Sequence, residues 1–491
     1  MTRPPNTGGS DVLATGGAGA RALRGGVLRS AGYAGGLLLS LASLPILIRH
    51  LGSAGFGQYV TASSIVIVVL GLTEGGLNAV ALREYATLTG AKRDELMRNA
   101  LGARLALSTV GVAAAIGFTA LGGYGSTLVL GVTLAGIGLI LQLMQSILSV
   151  PLQSELMLGR ASLVDLARQV VSVGLIVTLV TSGAGLAYLL AVAIPASGVS
   201  LLLTALIVRR LTPLRPAFRP RGWWPLLRNS IPYAAAIAIN VVYFRVAVIL
   251  TSLLTSDLQT GYFATSFRVI EVLIGVPGLA IGAVYPILAR AERDDQQRFR
   301  AASGRLFELG LLAGTLIVVM LEVGAPFVIK VLTGHDTGPT VTVLRVQALA
   351  IVATFANLVC AYPLLSLRRY RDLLISNLVA LSTSAVLVVA LVGPLGALGA
   401  AIAATAGEAG LALTVALLLV RSNHGIHLPI SVVAVAALAG GVAVAVGLAV
   451  PVHEVVQAPV AALVYLGVLR MMHRLPPELA GLVRARRSVR A

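Results

Sequence analysis

Fourteen apolar stretches, each about 20 residues long, follow one another along this chain of 491 residues. A stretch of about 20 apolar residues can cross the hydrocarbon core of a bilayer as an α-helix. Apolar residues make up 57% of the chain and charged residues only 11%, whereas soluble domains are about 25% charged. The sequence therefore predicts an all-α polytopic membrane protein and excludes a soluble enzyme, a disordered chain and a collagen-like fibre. The predicted spans are 27–48, 56–80, 99–121, 126–149, 163–181, 185–208, 229–252, 259–285, 306–332, 341–366, 373–391, 396–420, 429–450 and 455–470.

The positions of the basic residues predict how these spans are oriented. If residues 1–26 form a disordered cytoplasmic tail, 32 of the 37 Lys and Arg residues fall on the same side of the membrane. That side includes a basic linker at 209–228 and a basic tail at 471–491. Basic loops stay in the cytoplasm, so we expect both termini there and the protein in the cell membrane. Topology explains the net charge of +18, so we expect contacts with membrane lipids and no nucleic acid.

Two segments of the chain match each other about 200 residues apart. Ala91–Glu95 resembles Ala291–Asp295, and Tyr59–Ser63 can be aligned with Tyr262–Ser266. Six predicted spans lie between equivalent points, so the two halves have the same orientation, as in parallel transporter repeats. The pattern predicts an N-lobe at 27–208 and a C-lobe at 229–420 around a central cavity. Two extra helices follow at 421–470.

Several short motifs resemble a known family in the expected order. Residues 44–59 (LPILIRHLGSAGFGQY) resemble the first-to-second helix signature of Wzx-type polysaccharide flippases, which belong to the multidrug/oligosaccharidyl-lipid/polysaccharide (MOP) exporter superfamily. Residues 325–334 with 343–345 resemble that family's ninth-to-tenth helix turn, and 393–401 resemble the start of its helix twelve. Each motif is built of Gly and apolar residues, so it is their combination that indicates the superfamily.

The resemblance implies a flippase that moves a polyprenyl-diphosphate-linked oligosaccharide or cell-wall precursor to the outer leaflet by alternating access. It implies partners of polysaccharide synthesis, such as a polymerase and glycosyltransferases. Two related alternatives remain: a cation-coupled multidrug exporter and a lipid II flippase of peptidoglycan synthesis. The two helices after Arg421 favour the branches that carry lipid-linked sugars. The preference for Arg over Lys, with much Ala and Gly, is typical of a GC-rich bacterial genome.

Basic residues within the spans are candidates for binding the diphosphate. Arg245 and Arg268 lie deep in the seventh and eighth spans, where an ionised side chain is costly and function is the default hypothesis. The planar guanidinium binds two phosphate oxygens at once. Arg49, at the outer end of the first span, is a third candidate, with an interfacial anchor as the alternative. Arg268 and Glu271 could instead form a self-neutralising pair three residues apart.

Acidic residues within or near the spans are candidates for coupling transport to a proton or sodium gradient. For each of them, a neutral hydrogen-bonded carboxyl that holds helices together is the alternative. Thr265, Arg268, Glu271 and Gly275 share one helical face, which could line a cavity. The coupling candidates are Glu271, Glu322, Glu408 and Glu74.

The sequence offers little for other classes of function. The two lysines lie outside any phosphate-binding P-loop pattern, and His453-Glu454-Val455-Val456-Gln457 lacks the second histidine of a zinc protease motif. We therefore predict no metal, no cofactor and no enzyme activity. A membrane glycosyltransferase or polymerase would need a long outer loop with acidic or histidine residues, which the sequence lacks. A scaffold for wall-synthesis enzymes remains a further alternative.

Overall fold

The computed structural model describes residues 18–474 except 75, 156, 336–337, 423–424, 427 and 452. Within this range the chain forms α-helices and no strand, which confirms the predicted all-α class. Numbered along the chain, the helices are α1 (Ala18–Glu74), α2 (Leu77–Thr87), α3 (Gly90–Leu121), α4 (Ser126–Leu148), α5 (Val150–Ser154), α6 (Leu158–Thr181), α7 (Leu186–Ala191), α8 (Ala193–Val208), α9 (Pro220–Leu254), α10 (Asp257–Asp294), α11 (Gln296–Thr333), α12 (Gly338–Ser366), α13 (Tyr370–Leu395), α14 (Ala397–Val420), α15 (Ser431–Ala449) and α16 (Glu454–Met471).

Many of these helices are apolar enough to cross a membrane. In the described part of the chain, 11 helical ranges meet the length and composition of a span, and Val455–Met471 is a shorter apolar helix. The first of the 11 ranges, Leu39–Thr87, contains residues of two predicted spans. A multi-pass membrane protein is thus confirmed, while the number fourteen stays a prediction.

The link between the first two predicted spans is a kink rather than a loop. Helix α1 begins at Ala18, inside the range 1–26 that we expected to be a tail, and continues to Glu74. Only Gly52 departs from helical geometry, with φ 64° and ψ 178°. A positive φ of this kind is readily adopted by glycine because it lacks a Cβ atom. A single residue therefore separates the two helical segments.

The charged segments that match in the internal repeat are helical extensions, not loops. Helix α3 begins at Gly90, and α10 and α11 are separated only by Asp295. The Asp295 side chain accepts a hydrogen bond from the Arg298 backbone N–H at 3.0 Å, and this N-cap starts α11. At about 1.5 Å per residue, the 38 residues of α10 extend about 57 Å, well beyond a hydrocarbon core of about 30 Å.

The chain divides into two compact units. Unit 1 comprises Met1–His50 and Ala62–Val241, and unit 2 comprises Leu51–Thr61 and Val242–Ala491. The predicted lobes at 27–208 and 229–420 stay predictions, but the segment 51–61 groups with unit 2. Within that unit, Gln58 Nε2 donates a hydrogen bond to Asp257 Oδ2 at 2.7 Å.

Each unit has its own apolar core. In unit 1, buried residues such as Leu77, Met97 and Leu148 pack together. In unit 2, the core includes residues from Tyr243 to Leu469. The C-terminal helices α15 and α16 pack against α11 and against each other. The 421–470 region is therefore part of unit 2.

Candidate functional site

A cluster of three charged side chains joins α9 to α10 in unit 2. Arg245 lies on α9, and Arg268 and Glu271 lie on α10. One oxygen of the Glu271 carboxylate accepts a hydrogen bond from Arg245, and the other accepts one from Arg268 Nη1 at 2.8 Å. The Arg268–Glu271 pair, which the sequence offered as the alternative to a substrate role, is present. Its carboxylate is shared with the second arginine that sequence analysis had singled out.

Arg245 is the most deeply buried member of this charge cluster. It is 8% exposed, and its guanidinium carbon lies 5.6 Å from the centroid of the Phe267 ring. Its Nη1 atom is buried without a hydrogen-bond partner in the described residues. Two arginines and one carboxylate leave a net charge of about +1 in an apolar bundle, and burying such an uncompensated charge is costly. An anionic ligand would remove that cost.

The accessible members of the charge cluster are Arg268 and Glu271. Their side chains are 23% and 29% exposed. One turn further along α10, Gly275 is exposed, and a Cβ atom there would meet open space. Thr265, by contrast, is 1% exposed, so only part of the face that we predicted is open. Of the two arginines, Arg268 is therefore the more accessible to an anion.

A second polar cluster surrounds Glu408 on α14. Glu408 is 8% exposed. The Tyr243 hydroxyl of α9 donates to Glu408 Oε1 at 2.7 Å, and the Thr354 hydroxyl of α12 lies 2.9 Å from Glu408 Oε2. The carboxyl thus connects three helices of unit 2, as expected for an intramembrane acid.

The hydrogen bonds around Glu408 fit two protonation states. Thr354 Oγ1 also lies 3.0 Å from the backbone oxygen of Ala350, and a hydroxyl has only one hydrogen to donate. If Thr354 donates to Ala350, the short contact with Glu408 requires a proton on the carboxyl. If Thr354 donates to Glu408, its bond to Ala350 is lost and the contacts fit an ionised carboxylate, which then accepts from both hydroxyls. The contacts around Glu408 therefore fit a protonated carboxyl in one arrangement of hydrogen bonds and an ionised carboxylate in the other.

A small cavity lies beside this second cluster. Its volume is about 40 Å³, and its lining includes Tyr243, Glu408, Phe267, Gln347 and Ser384. This volume is sufficient for a few water molecules, which could deliver a proton to the carboxyl. The Phe267 ring also contacts Arg245, so the cavity adjoins the charge cluster.

The remaining predicted residues lie elsewhere. Arg49 is exposed in unit 1, three residues before the kink at Gly52. Glu322 on α11 is partly exposed, and its backbone oxygen accepts a hydrogen bond from Arg345 Nε at 2.9 Å. Glu74 is the last residue of α1 and lies in unit 1. None of these three side chains belongs to the described contacts of the two clusters in unit 2.

Arg104 on α3 is a buried arginine that was not among the predicted site residues. It is 0% exposed. It donates to the Thr73 backbone oxygen at 2.8 Å and to Asn78 Oδ1 at 2.9 Å. Asn78 in turn donates to Glu74 Oε1 at 3.2 Å. This guanidinium satisfies a carbonyl at the C-terminal end of α1, so it stabilises the break between α1 and α2.

An apolar groove runs between α11, α12 and α15. Its volume is about 630 Å³. Leu311 and Val318 come from α11, Leu349 from α12, and Val433 and Gly441 from α15. Glu322 is the one charged residue among the lining residues. The groove is suited to a hydrocarbon chain.

Comparisons with known proteins agree with this architecture. The family model described as polysaccharide biosynthesis protein matches residues 22–292. A search of curated proteins finds no match. The structure of the lipid II flippase MurJ in an inward closed conformation is similar with a TM-score of 0.75 and 13% identity, over 91% of this chain and 99% of that chain.

Two transporters of the MOP superfamily are also similar. An inward-facing multidrug resistance MATE transporter has a TM-score of 0.64 and 16% identity, over 79% of this chain and 96% of that one. A MOP superfamily transporter from Pyrococcus furiosus has a TM-score of 0.51 and 16% identity, over 82% of this chain and 93% of that one. At these identities the likeness establishes the fold.

Proposed function

We infer that this chain, which belongs to the polysaccharide biosynthesis protein family, is a flippase for a polyprenyl-diphosphate-linked oligosaccharide. The substrate would move from the inner to the outer leaflet of the cell membrane by alternating access, for surface polysaccharide synthesis. The MOP exporter fold, with MurJ and MATE neighbours, supports transport across a membrane. Membrane lipids and the enzymes that make and polymerise the oligosaccharide would be its partners.

The charge cluster is the observation that carries this proposal. A diphosphate needs cationic donors in an otherwise apolar bundle, and arginine binds phosphate through two parallel hydrogen bonds. Arg268 is accessible and is held by only one carboxylate oxygen. We propose that the diphosphate contacts Arg268, while the buried Arg245 holds Glu271 in place. Arg49 would act at the outer end of the route.

A flipping assay with Arg268 variants tests the site. The purified protein is reconstituted in vesicles with a fluorescent undecaprenyl-diphosphate oligosaccharide, and its exposure to an impermeant quencher is followed. R268Q should reduce flipping and diphosphate binding by at least about tenfold, the effect of losing roughly 1.4 kcal/mol. R290Q, an exposed arginine near the end of the same helix, is the matched control. Equal loss in both variants, or loss in neither, would remove the site assignment.

The apolar groove is the proposed path of the prenyl tail. We propose that the tail runs along the C-terminal helix α15, which forms part of the groove wall. Hydrocarbon burial stabilises binding by about 25 cal/mol per Å². A short-chain analogue with the same diphosphate should therefore bind more weakly than the long-chain substrate, and titration of both measures the difference.

We propose that Glu408 couples transport to a proton gradient. The two hydrogen-bond patterns around its carboxyl support this role, because they differ by one proton. Glu271 is shared by two arginines and suits a fixed carboxylate rather than a coupling group, and Glu322 and Glu74 lack such a pair of hydroxyl partners in the described structure. In vesicles, an imposed pH gradient should accelerate flipping by the wild-type protein and not by E408Q. Acceleration by a sodium gradient alone would contradict the proposal.

A lipid II-type precursor is the second candidate substrate. The likeness to MurJ extends over 91% of this chain, and a lipid-linked wall precursor has the same diphosphate and prenyl groups. Competition between the two lipids in the flipping assay separates the candidates. Export of lipophilic cations with no response to either lipid diphosphate would instead favour a multidrug exporter.

A further inference from the structure

The segment between α8 and α9 is densely basic and exposed. We call residues 209–228 the interface arm. All six of its arginines are exposed: Arg209, Arg210, Arg215, Arg219, Arg221 and Arg228. The sequence has no Asp or Glu between Asp165 and Asp257, so no acidic residue nearby in the chain neutralises this charge.

Large apolar side chains alternate with these arginines. Trp224 is 62% exposed, Phe218 is 63% exposed and Leu214 is 40% exposed. Exposed apolar groups of this size close together mark an interaction surface. Tryptophan together with arginine is typical of the membrane–water interface.

The interface arm is held firmly on α3. The Ala217 backbone N–H donates to the Arg98 oxygen at 2.8 Å, and Trp223 Nε1 donates to the Ala217 oxygen at 3.0 Å. A Cβ atom at Gly102 would lie only 1.9 Å from that same oxygen, so the close approach needs a glycine. Leu226 is buried. The arginines and aromatic rings thus project from a fixed backbone in unit 1.

The position of the interface arm in the chain agrees with a location at the membrane–water interface. It follows directly on Val208, the last residue of α8, and ends where the seventh predicted span begins at 229. Trp224 precedes that span by five residues, about 7.5 Å along a helix. The head-group layer is about 5–8 Å thick on each side of the hydrocarbon core. With the span beginning at 229, as the sequence predicts, Trp224 would lie at the depth of the lipid head groups.

We propose that the interface arm is a membrane anchor that binds the head groups of anionic phospholipids. Its exposed arginines contact the phosphates, and Trp224 and Phe218 insert at the boundary with the acyl chains. The charge of the arm is complementary to an anionic leaflet, and its fixed backbone presents both kinds of group together. The anchor holds α8 and α9 at a defined depth and does not depend on which substrate is transported.

Tryptophan fluorescence tests this anchor directly, because the two tryptophans of the chain, Trp223 and Trp224, both lie in it. The full-length protein is reconstituted in mixtures of phosphatidylglycerol and phosphatidylcholine, with bromine on an equal mole fraction of one lipid or the other. Brominated phosphatidylglycerol should quench at least about twofold more than brominated phosphatidylcholine, since arginines enrich anionic lipid near the arm. W224F assigns the quenched emission to Trp224.

A second experiment removes positive charge from the interface arm. In R215Q/R219Q/R221Q the preference for phosphatidylglycerol should disappear, whereas a control with three exposed arginines changed elsewhere, R290Q/R298Q/R371Q, should keep it. If the arm variant does not reconstitute, high salt applied to the wild-type protein screens the same charges. Equal quenching by both lipids in the wild type, or a preference unaffected by salt and by the arm substitutions, would overturn the proposal.

Discussion

Removing the Glu271 carboxylate should destabilise unit 2 more than removing either arginine. In E271Q both arginines keep their charge and lose their shared counter-charge, so the cluster changes from about +1 to about +2. Breaking a buried ion pair by removing one partner costs about 3–5 kcal/mol. Arg245 is 8% exposed and Arg268 is 23% exposed at its side chain, so most of this cost arises at Arg245. We expect E271Q to lose about 3 kcal/mol of stability.

The two arginine variants should behave differently from E271Q and from each other. R245Q leaves Glu271 paired with Arg268 at 2.8 Å, and R268Q leaves it paired with Arg245. In each variant the charge of the cluster therefore falls from about +1 to about 0, and the variant should lose less than about 2 kcal/mol of stability. R245Q should be the more destabilised of the two because Arg245 is deeper. R268Q should lose diphosphate binding while remaining folded.

A double-mutant cycle measures the interaction itself. R245Q/E271Q returns the cluster to a charge of about +1 and should recover at least about 1 kcal/mol relative to the sum of the single changes. Unfolding of the detergent-solubilised protein, followed by circular dichroism, supplies the four stabilities. Purely additive single changes, or an E271Q variant as stable as the wild type, would refute the shared-carboxylate reasoning.

Three further predictions concern other parts of the molecule. Y243F should cost about 1.5–3 kcal/mol by removing the hydrogen bond to Glu408, and thermal unfolding checks the loss. R104Q should cost about 3 kcal/mol because it removes a fully buried guanidinium, and a wild-type melting temperature would contradict that role. G441L places a side chain into the open space of the groove and should weaken binding of long-chain lipid diphosphates but not short-chain ones, while G467L on α16, also next to open space, should leave both unchanged.

The helices could be predicted from the sequence because each span is a continuous apolar run, which in a bilayer must satisfy its backbone hydrogen bonds internally. The ends of the helices were harder to predict. We expected a linker at 209–228, yet α9 begins at Pro220. We expected a connection at 286–305 between the eighth and ninth spans, yet a single cap at Asp295 separates two helices. A short polar segment at the edge of a membrane can extend a helix or form a loop, and a single capping residue can decide between them. The pattern of apolar residues carries no information about such caps.

Only part of the charge cluster could be predicted from the sequence. Arg268 and Glu271 are three residues apart on one helix, so their pairing follows from helical periodicity. Arg245 is 26 residues from Glu271 in sequence, and the contact between α9 and α10 depends on how the helices pack. Arg104 was missed for a related reason: it adjoins a basic segment, so the positive-inside pattern already accounted for its charge, and only packing shows that it is buried.

Helix α9 links the two clusters of unit 2. Tyr243 and Arg245 are two residues apart, so their side chains point about 200° apart around the helix axis. Tyr243 bonds to Glu408 of α14, and Arg245 bonds to Glu271 of α10. A change at Glu408 that displaces Tyr243 can reach Arg245 through the short stretch of α9 between them, because protein interiors transmit strain. Coupling between two sites is reciprocal, so a diphosphate that draws on Arg268 would also shift the protonation of Glu408. If the diphosphate binds Arg268 and Glu408 couples transport to protons, as proposed, a proton gradient would act on the bound anion without direct contact between the carboxyl and the substrate.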